Sequence, residues 1–564
     1  MRFAPLVLAA LCVATLFLGL DRVGFLDWRE ARDAEVAREM VRRKEGLTPL
    51  YAREAWFEKP VLAYAPEWLV RRIARPPAPG NPGYPADTAP SPLRSRQVRA
   101  AFAVCLILGT ASLGARMFGM RAAWCAAGVL ATTLALPLAA RTDGAQLLGT
   151  LLGWVGCAGL ADALFGRRGG RDARLIVTYG ALGMAFATAG PLAALWPLGG
   201  LALYLALARE PEGWRRTRPL PGLAIVAGIG LPWYGVMLER HGPSFLLHAA
   251  FFPYATERPG AWYAGPALAL AFLIVGFFPW SALLPGAMQH AATWWRVVRL
   301  PILGRRVFGA AHGDRPSPDP VARERREEGM SHYLIACLFA ALVPVALYPG
   351  PPLPAALPAM PAAALLCGRY LDHLFEDPER LRRSFTSAVR MLALVGTAAA
   401  VMLTLVATRL RDAEPALRLL ATVVFVTSWA PFLADFVGRR RVAAALMVLP
   451  VALGAPVTQL RVLPALDDYL SARVVAAAAN LAVPPLSPIL LVEPPPPSLR
   501  LYGDRNLVVT DSLAADLPRM RAADGMTYLA FRPGRESEVA RTVGAPLDIL
   551  LRAPTLILAR VRAS

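Results

Sequence analysis

Apolar runs recur along most of this 564-residue chain, and they constrain its fold more than any other feature. A run of about 18 apolar residues is long enough for a helix to cross a ~30 Å hydrocarbon core. The hydrophobic content of 56% and the mean hydropathy of +0.43 exclude an ordinary soluble globular protein. We therefore predict a polytopic α-helical membrane protein with about thirteen transmembrane helices. The predicted spans are 4–20, 98–115, 121–140, 145–165, 174–190, 191–208, 219–237, 263–288, 331–349, 352–371, 389–408, 416–437 and 441–460.

The arginine distribution predicts how these spans are oriented. Arginines are frequent in one set of loops, whereas the short loops of the other set carry little more than Arg141, Arg409, Arg411 and Arg418. By the positive-inside rule the first set is cytosolic, and an odd number of spans then puts the C-terminal segment outside. The first span has only Arg2 before it and no small-x-small cleavage site, so we expect an uncleaved anchor. Basic cytosolic rims explain the formal charge of +20 without a nucleic-acid partner.

Several classes of protein are disfavoured by what the sequence lacks. We find no GxxxxGK[ST], no GxGxxG in a βαβ context, no HExxH and no GxSxG, which argues against an ATP-driven pump, a nicotinamide enzyme, a zincin and an α/β-hydrolase. The six cysteines all lie in apolar runs without a CxxC pair, so we interpret them as packing residues.

The chain divides into two predicted domains. Residues 1–460 form a transmembrane domain with an external loop at 21–97, a second external loop at 238–262 and a cytosolic loop at 289–330, whose polar 314–329 stretch we expect to be flexible. Residues 461–564 form a small external α/β domain. Its predicted strands are SPILLVEP, SLRLYGD, NLVVTDS, MTYLAFRP and TLILARVR, and its predicted helices are PALDDYLSARVVAAAANLA and ESEVARTVG.

Ionisable residues concentrate in the first external loop, between Phe25 and Tyr64. Asp27, Glu30, Asp33 and Glu35 alternate with Arg29, Arg32 and Arg38. At helical spacing Asp27 and Glu30 can share one face, and so can Arg29 and Asp33. A salt-bridged surface helix explains this spacing. The alternative is a catalytic carboxylate, because charged groups at a membrane surface carry a desolvation cost.

Lys59 is the second notable residue of this loop. The chain contains two lysines, Lys44 and Lys59, and the other 58 of its 60 basic residues are arginines. A lysine retained in Phe-Glu-Lys-Pro is suited to act as a compact point charge. The alternative is an interfacial lysine whose ammonium reaches to the membrane surface.

These motifs resemble the first external loop of the GT-C superfamily of membrane glycosyltransferases. The segments EARDAEVAREM and WFEKPVLAY are similar to those of the bacterial protein-mannosyltransferase-like and aminoarabinose-transferase-like enzymes, of glycosyltransferase family 39 and 83 types. RMFGMRAAWCAAGVLATTLALPLAARTD, LPWYGVMLERHGPSFLLHAAFFPYATERPG, FFPWSALLP and LPAALPAMPAAALL follow in family order, so the resemblance covers most of residues 1–370. The chain departs from the pattern where Arg29 stands in the usual Asp place, Asp33 in the usual Tyr place, and Ala189 and Pro352 in place of usual lysines.

The resemblance implies a set of site residues. The carboxylate base would be Asp27 or Glu30, and Asp143 at the external mouth of the fourth span would assist catalysis. Lys59 would contact the phosphate of a lipid-linked sugar. The other implied substrate-binding residues are Arg53, Tyr64, Arg141, His241 and Arg258. A lipid-facing loop with an aromatic belt also explains 241–258. No cofactor is implied with certainty, and no ligand spacing indicates a metal site; the alternative is a divalent ion held by His241 with the carboxylates.

The resemblance also implies a function. The chain would transfer a sugar from a polyprenyl-phosphate donor, such as undecaprenyl phosphate, to lipid A, a glycan or a protein, with inversion at the anomeric carbon. The reaction would take place at the periplasmic face of the bacterial inner membrane. Two alternatives remain open, namely a lipid-linked sugar transporter or flippase and a catalytically degenerate scaffold. The concentration of ionisable groups in external loops rather than at mid-span disfavours the transporter.

Overall fold

A computed structural model of the chain describes residues 3–27, 29–73, 91–166, 171–209, 211–243, 245, 264–291, 320–347, 353–485, 487–510, 513–516, 520, 522 and 524–562. The helices are α1 (Ala4–Cys12), α2 (Arg29–Arg43), α3 (Ala65–Ile73), α4 (Leu93–Met117), α5 (Met120–Ala131), α6 (Ala135–Thr142), α7 (Gly144–Phe165), α8 (Arg171–Ala189), α9 (Pro191–Ala208), α10 (Pro211–Thr217), α11 (Pro219–His241), α12 (Ala264–Gly276), α13 (Leu284–Ala291), α14 (Pro320–Leu347), α15 (Met360–Glu376), α16 (Arg382–Ala407), α17 (Glu414–Phe436), α18 (Arg440–Leu446), α19 (Leu449–Val457), α20 (Leu463–Ala465), α21 (Asp467–Leu470), α22 (Arg473–Ala482), α23 (Pro497–Tyr502), α24 (Leu513–Asp516) and α25 (Glu536–Val543). The strands are β1 (Leu50–Tyr51), β2 (Glu54–Ala55), β3 (Pro488–Leu491), β4 (Asn506–Val509), β5 (Met526–Phe531), β6 (Asp548–Arg552) and β7 (Ile557–Arg562).

The chain forms two compact units. We call the first the helical unit; it comprises Met1–Leu18, Phe57–Ala63 and Gln97–Thr458. The second, which we call the sheet unit, comprises Gly19–Trp56, Tyr64–Arg96 and Gln459–Ser564. The sequence predicts 21–97 to be a loop of the transmembrane domain, whereas most of this loop belongs to the same compact unit as the C-terminal segment.

The protein is a multi-pass membrane protein, as predicted. Within the described residues, eight helices are long and apolar enough to cross a membrane, and two further bent helix pairs raise the number to ten. These ten coincide with ten of the thirteen predicted spans. The other three, 4–20, 174–190 and 352–371, are largely helical, but none of them is among the helices that are long and apolar enough to span alone.

The end of the predicted cytosolic loop 289–330 is helical. Helix α14 begins at Pro320, a residue that fits the first turn of a helix because the N–H it lacks would have no intrahelical acceptor there. The expectation of a flexible 314–329 stretch is therefore wrong from residue 320 onward. Residues 292–319 lie outside the described residues.

Close helix contacts through small residues hold the helical unit together. Helix α7 packs on α8 and α9, α8 on α11, and α9 on α14. A Cβ atom added at Gly156 of α7 would lie 2.2 Å from Leu182 Cδ2 of α8, and one at Gly153 would lie 3.0 Å from Trp196 Nε1 of α9. Such small residues let helix backbones approach closely in a membrane, where dispersion contacts rather than the hydrophobic effect hold helices together. This packing fixes the position of α7, whose first turn carries Asp143.

A five-stranded mixed sheet with the order β4-β3-β5-β7-β6 forms the centre of the sheet unit. Strands β4, β3 and β5 are parallel, and β7 is antiparallel to both β5 and β6. Alternate side chains of a strand point to opposite faces of the sheet. Helices pack on both of these faces, as the side chains of β5 show. Tyr528 and Ala530 of β5 pack in one cluster with Phe25, α2, α22 and α23, whereas Leu529 and Phe531 pack against α24 and α25.

The predicted C-terminal strands are confirmed with one exception. SLRLYGD was predicted as a strand, but Pro497–Tyr502 is helix α23. Pro497 stands in the first turn of this helix, where proline is favoured, and the Asp27 carboxylate accepts a hydrogen bond from the Ser498 N–H at 2.8 Å. Because Asp27 is so distant in sequence, local periodicity does not reveal this stabilising contact. The edge strand β6 was not predicted.

Candidate active site

Asp143 lies at the junction between α6 and α7. It is the N-cap residue of α7, and its Oδ1 accepts a hydrogen bond from the Gln146 backbone N–H at 3.0 Å. An aspartate at this position accepts a hydrogen bond from one of the free N–H groups of the first turn, and its negative charge interacts favourably with the positive end of the helix dipole. The side chain is buried, with a residue exposure of 1%.

Lys59 reaches Asp143 from the Phe57–Ala63 segment. Its Nζ lies 3.4 Å from Asp143 Oδ1, and the lysine is only 7% exposed. The helix dipole disfavours a cation near a helix N-terminus. The pairing of the Lys59 ammonium with the buried Asp143 carboxylate offsets part of this cost. An anion bound at this place would interact favourably with both the ammonium and the helix N-terminus.

Two further cations surround the same junction. Arg99 of α4 donates a hydrogen bond to the Arg141 carbonyl at 3.0 Å, and its aliphatic stem lies against Gly144, where an added Cβ would be 3.2 Å from Arg99 Cδ. Arg141 donates to the Leu18 carbonyl at 2.5 Å. Both arginines are buried. The start of α7 therefore combines one carboxylate with three cationic side chains.

A mostly apolar cavity begins beside this junction. Gln146, whose N–H bonds Asp143, lies at its polar end, and the indole of Trp196 forms part of its wall. The buried Trp196 Nε1 has no hydrogen-bond acceptor among the described residues. The remaining lining residues, from α7, α8, α9, α14 and the 3₁₀ segment Leu353–Ala359, are Gly149, Thr150, Ala189, Leu192, Ala193, Ala341, Pro344, Val345, Ala355 and Pro358.

His241 also lies close to the Lys59 segment. Its ring packs edge-on against Phe57 with centroids 4.9 Å apart, and Phe57 packs in turn on Phe245 at 4.8 Å. The structure thus brings the end of α11 to the Phe-Glu-Lys-Pro motif. Across the ranges that the structure describes, no three His, Cys, Asp or Glu side chains form a group able to hold a metal ion. Arg258 lies outside the described residues.

Glu30 forms a buried ion pair in the sheet unit. Arg96 Nε donates to Glu30 Oε1 at 2.9 Å and Arg96 Nη2 to Glu30 Oε2 at 2.7 Å, and each residue is 1% exposed. The Leu26 N–H also donates to Oε2, at 2.9 Å. Arg96 further donates to the carbonyls of Leu20, Val23 and Gly24, so this pair fixes the segment that carries Asp27.

Asp27 is half-buried and differently placed. Its Oδ1 accepts from the Ser498 N–H, and its own N–H donates to the Leu470 carbonyl at 2.7 Å. Burial raises the pKa of the Asp27 carboxyl above its usual value, and the hydrogen bonds from Ser498 and the Ala472 backbone offset part of this effect. A carboxylate with a raised pKa is a stronger base than an ordinary aspartate.

Arg53 and Tyr64 belong to the sheet unit. Arg53 is exposed at the turn between β1 and β2, and its backbone N–H donates to Glu39 Oε2 at 3.0 Å. Tyr64 is buried immediately before α3, where its carbonyl accepts from the Trp68 N–H at 2.8 Å. Neither position tests the roles that the resemblance implies.

Sequence reasoning missed Arg96 and Arg99. Both come from the SRQVRA stretch at the start of α4, on the side that the positive-inside rule assigns to the exterior. Arginines that run against this rule are a sequence signal that could have identified both residues. Both are buried in the structure.

Comparison with known proteins supports the predicted fold. No protein-family model matches the chain. Among curated proteins, it is similar to the undecaprenyl phosphate-alpha-4-amino-4-deoxy-L-arabinose arabinosyl transferase of Enterobacter sp. (strain 638), with 26% identity over 275 residues. The aligned region covers 46% of this chain and 45% of that protein, so the chain matches about half the length of this relative.

The similarity to solved structures extends over nearly the whole chain. The crystal structure of ArnT from Cupriavidus metallidurans in the apo state superposes with a TM-score of 0.71 and 18% identity, covering 99% of this chain and 97% of that one. The same protein bound to undecaprenyl phosphate gives 0.70 and 19%, with the same coverage. The archaeal oligosaccharyltransferase AglB from Archaeoglobus fulgidus gives 0.50 and 11%, covering 97% of this chain and 71% of that one. The chain therefore has the GT-C fold that its sequence predicts.

Proposed function

We propose that this protein is a glycosyltransferase that takes its sugar from a polyprenyl-phosphate donor. The observation that carries the proposal is the buried Lys59–Asp143 pair at the N-terminus of α7, beside the apolar cavity. A lipid phosphate needs a cationic site for its head and an apolar site for its tail, and both occur here beside the first turns of α7. The fold shared with ArnT supports the same assignment.

Lys59 is the proposed phosphate ligand. Arg99 and Arg141 add positive charge at the same junction, and the first N–H groups of α7 favour an anion there. Charge builds up on the leaving phosphate as its bond to the sugar breaks. Fixed cations in a water-poor site stabilise that charge, because they require little reorganisation during the reaction. Asp143 orients Lys59 through its pairing with Nζ.

The cavity is the proposed site for the first isoprene units of the donor. Its walls are mostly Ala, Leu, Val and Pro side chains, which suit a branched hydrocarbon chain. Of the solved structures with a similar fold, one has undecaprenyl phosphate bound and another is a complex with a dolichol-phosphate. We extend that ligand class to this chain.

Asp27 is the proposed general base. It would take the proton of the acceptor hydroxyl or phosphate while the acceptor oxygen attacks the anomeric carbon. The bond from that carbon to the donor phosphate breaks on the opposite side, so the configuration inverts and polyprenyl phosphate leaves. The raised pKa of Asp27 favours it over Glu30, whose two carboxylate oxygens accept hydrogen bonds from Arg96.

The acceptor and the cellular setting are also proposals. The curated relative transfers an aminoarabinose, which favours a sugar of a cell-envelope glycolipid such as lipid A as the acceptor over a glycan or a protein. We place the protein in the bacterial inner membrane with the site on the periplasmic side, since the arginine distribution favours that orientation.

The first experiment measures sugar release from a pool of radiolabelled polyprenyl-phosphate sugars by purified protein in nanodiscs. Lys59→Ala is compared with Lys44→Ala, which removes the second lysine of the chain, an exposed residue at the end of α2. We expect Lys59→Ala to lower turnover by about 10²-fold or more, the loss found when one transition-state donor is removed. Lys44→Ala should turn over like the wild type.

Two outcomes would contradict the proposal. Unchanged turnover in Lys59→Ala would remove the phosphate role of this lysine. Tight donor binding without turnover, across a panel of sugars and acceptors, would favour the flippase or scaffold alternative. Thermal unfolding of both variants, measured in the same nanodiscs, separates a loss of activity from a loss of folding.

A further inference from the structure

One exposed face of helix α16 combines two arginines with an apolar stripe. This helix is long and apolar enough to cross a membrane, and only 28% of its most apolar stretch is buried inside the protein. On a helix with 3.6 residues per turn, exposed side chains at spacings of three, four and seven positions lie within about 60° of one another. On α16 these are Arg383, Ser387, Arg390, Leu394, Val401 and Leu405.

The acidic side chains at this end of α16 are paired with other residues. Asp435 of α17 accepts a hydrogen bond from the Thr386 hydroxyl at 2.8 Å, and its other oxygen lies 3.5 Å from Arg440 Nε. Glu379 forms ion pairs with Arg440 and, at 4.0 Å, with Arg382. This network connects the ends of α16, α17 and α18 and uses both carboxylates.

Arg383 and Arg390 therefore remain available for a ligand. Within the part of the chain that the structure describes, neither guanidinium group forms a hydrogen bond or an ion pair, and neither does the Ser387 hydroxyl between them. An arginine on a lipid-facing helix is costly unless its charge reaches the headgroups or finds an anion.

The position of the two arginines along α16 matches the membrane surface. From Arg390 to the end of the helix at Ala407 the rise is about 26 Å, close to the ~30 Å thickness of the hydrocarbon core. Arg390 thus lies near the boundary between hydrocarbon and headgroups. Arg383 lies about 10 Å further out, at the level of the headgroups.

A phospholipid of the bilayer matches this face in both of its parts. Its phosphate lies just outside the hydrocarbon core, where guanidinium groups bind phosphate oxygens through paired hydrogen bonds, and its acyl chains lie inside the core. The arginines repel the cation of a zwitterionic headgroup, so a net negative headgroup is favoured. The positive-inside rule assigns this end of α16 to the cytosolic side, whose leaflet carries anionic lipids.

We propose that this face of α16 binds an anionic phospholipid, with its phosphate between Arg383 and Arg390 and its acyl chains along Leu394, Val401 and Leu405. A soluble partner could contact the arginines but not the apolar stripe, because the stripe lies within the membrane span. The inference is independent of the proposed transfer reaction, since it uses no residue of the α7 junction and needs no sugar donor.

The test is photolabelling of the full-length protein in phosphatidylcholine nanodiscs. A small fraction of either phosphatidylglycerol or phosphatidylcholine carries a diazirine in its acyl chain, and mass spectrometry measures the labelling of the peptide that contains Leu394. A basic side chain at a membrane surface favours anionic lipid by about 5-fold, so two should give a phosphatidylglycerol preference of about 25-fold. Arg383→Gln and Arg390→Gln should each lower the preference by about 5-fold, and the double variant should abolish it.

A matched control lies one residue away. Arg382 is also exposed, but it pairs with Glu379 and does not lie on the lipid-binding face. Arg382→Gln removes the same charge and should lower the preference by less than 2-fold. Thermal unfolding in the same nanodiscs checks that each variant is folded.

Four outcomes would overturn the inference. Equal labelling by both probes in the wild type would show that the face does not select anionic lipid. A preference retained in the double variant would exclude the two arginines, and an equal decrease in Arg382→Gln would indicate a general effect of charge. Loss of the preference in millimolar inorganic phosphate would make the face a site for soluble anions rather than for a lipid.

Discussion

Removal of the Arg96 guanidinium should open the segment that carries Asp27. The side chain donates five hydrogen bonds, two to Glu30 and one each to the Leu20, Val23 and Gly24 carbonyls. Arg96→Leu would leave the Glu30 carboxylate buried without this partner. Breaking a buried ion pair on one side costs about 3–5 kcal/mol, which corresponds to at least about 10²-fold in the local opening equilibrium.

Amide hydrogen exchange reports this opening directly. The Leu26 N–H donates to Glu30 and the Phe25 N–H to the Tyr502 hydroxyl, so both amides are protected by contacts that this segment makes in the folded sheet unit. In Arg96→Leu, we expect both to exchange at least about 10²-fold faster than in the wild type. Arg94→Leu, a change at an exposed arginine of the same helix, is the control and should leave both rates unchanged.

A double variant separates the ion pair from general damage to packing. Glu30→Leu combined with Arg96→Leu removes both buried charges. The Phe25 N–H, whose acceptor is the Tyr502 hydroxyl, should therefore exchange more slowly in the double variant than in either single variant. The reasoning fails if Arg96→Leu accelerates exchange by less than about 10-fold, or if the double variant opens as much as the two single changes added together.

Two further predictions concern the candidate site. Because the folded-state pKa of Asp27 is raised, ionisation of this carboxyl lowers the stability of the protein, and the stability present below the usual Asp pKa is lost as pH rises through the raised value. Asp27→Asn should therefore abolish sugar transfer while raising the unfolding temperature at neutral pH. A lower unfolding temperature would contradict this reasoning. Gly144→Ala would place a methyl group 3.2 Å from Arg99 Cδ and displace that arginine, so turnover at low donor concentration should fall. Gly128 has open space around it, so Gly128→Ala is the control and should turn over normally. Equal turnover in both variants would exclude Arg99 from the site.

The sequence predicts the membrane helices well, because hydropathy over about 20 residues is a local property. The three spans that fall short have local causes. The first apolar helix ends in a π-helical turn at Phe17. Helix α8, which contains most of 174–190, begins at Arg171 and carries Asp172 and Arg174 in its first turn. The span 352–371 is divided by the 3₁₀ segment Leu353–Ala359. Prolines and charges interrupt a span without removing its overall apolar character.

The chain segments that make up the sheet unit could not be predicted from local hydropathy. Phe25 donates to the hydroxyl of Tyr502, and Asp27 accepts from Ser498, across more than 450 positions of sequence. No periodicity in either segment indicates the other. For the same reason the spacing of Asp27 and Glu30 suggested two equivalent carboxylates, whereas their different partners give them different environments.

The sheet unit has a consequence for biosynthesis. Its first segment ends at Trp56 and its last begins at Gln459, and strand β7, which lies between β5 and β6, is the last strand to leave the ribosome. At a synthesis rate of about 5–20 residues per second, the segment with Asp27 waits roughly 20–80 s for its partners. During that time Phe25, Ala31 and Ala34 lack the apolar surface that later covers them. Nascent chains that stall within the membrane helices would thus expose this segment to proteases, and a stop codon before β7 would remove a central strand from the sheet that supports the proposed base.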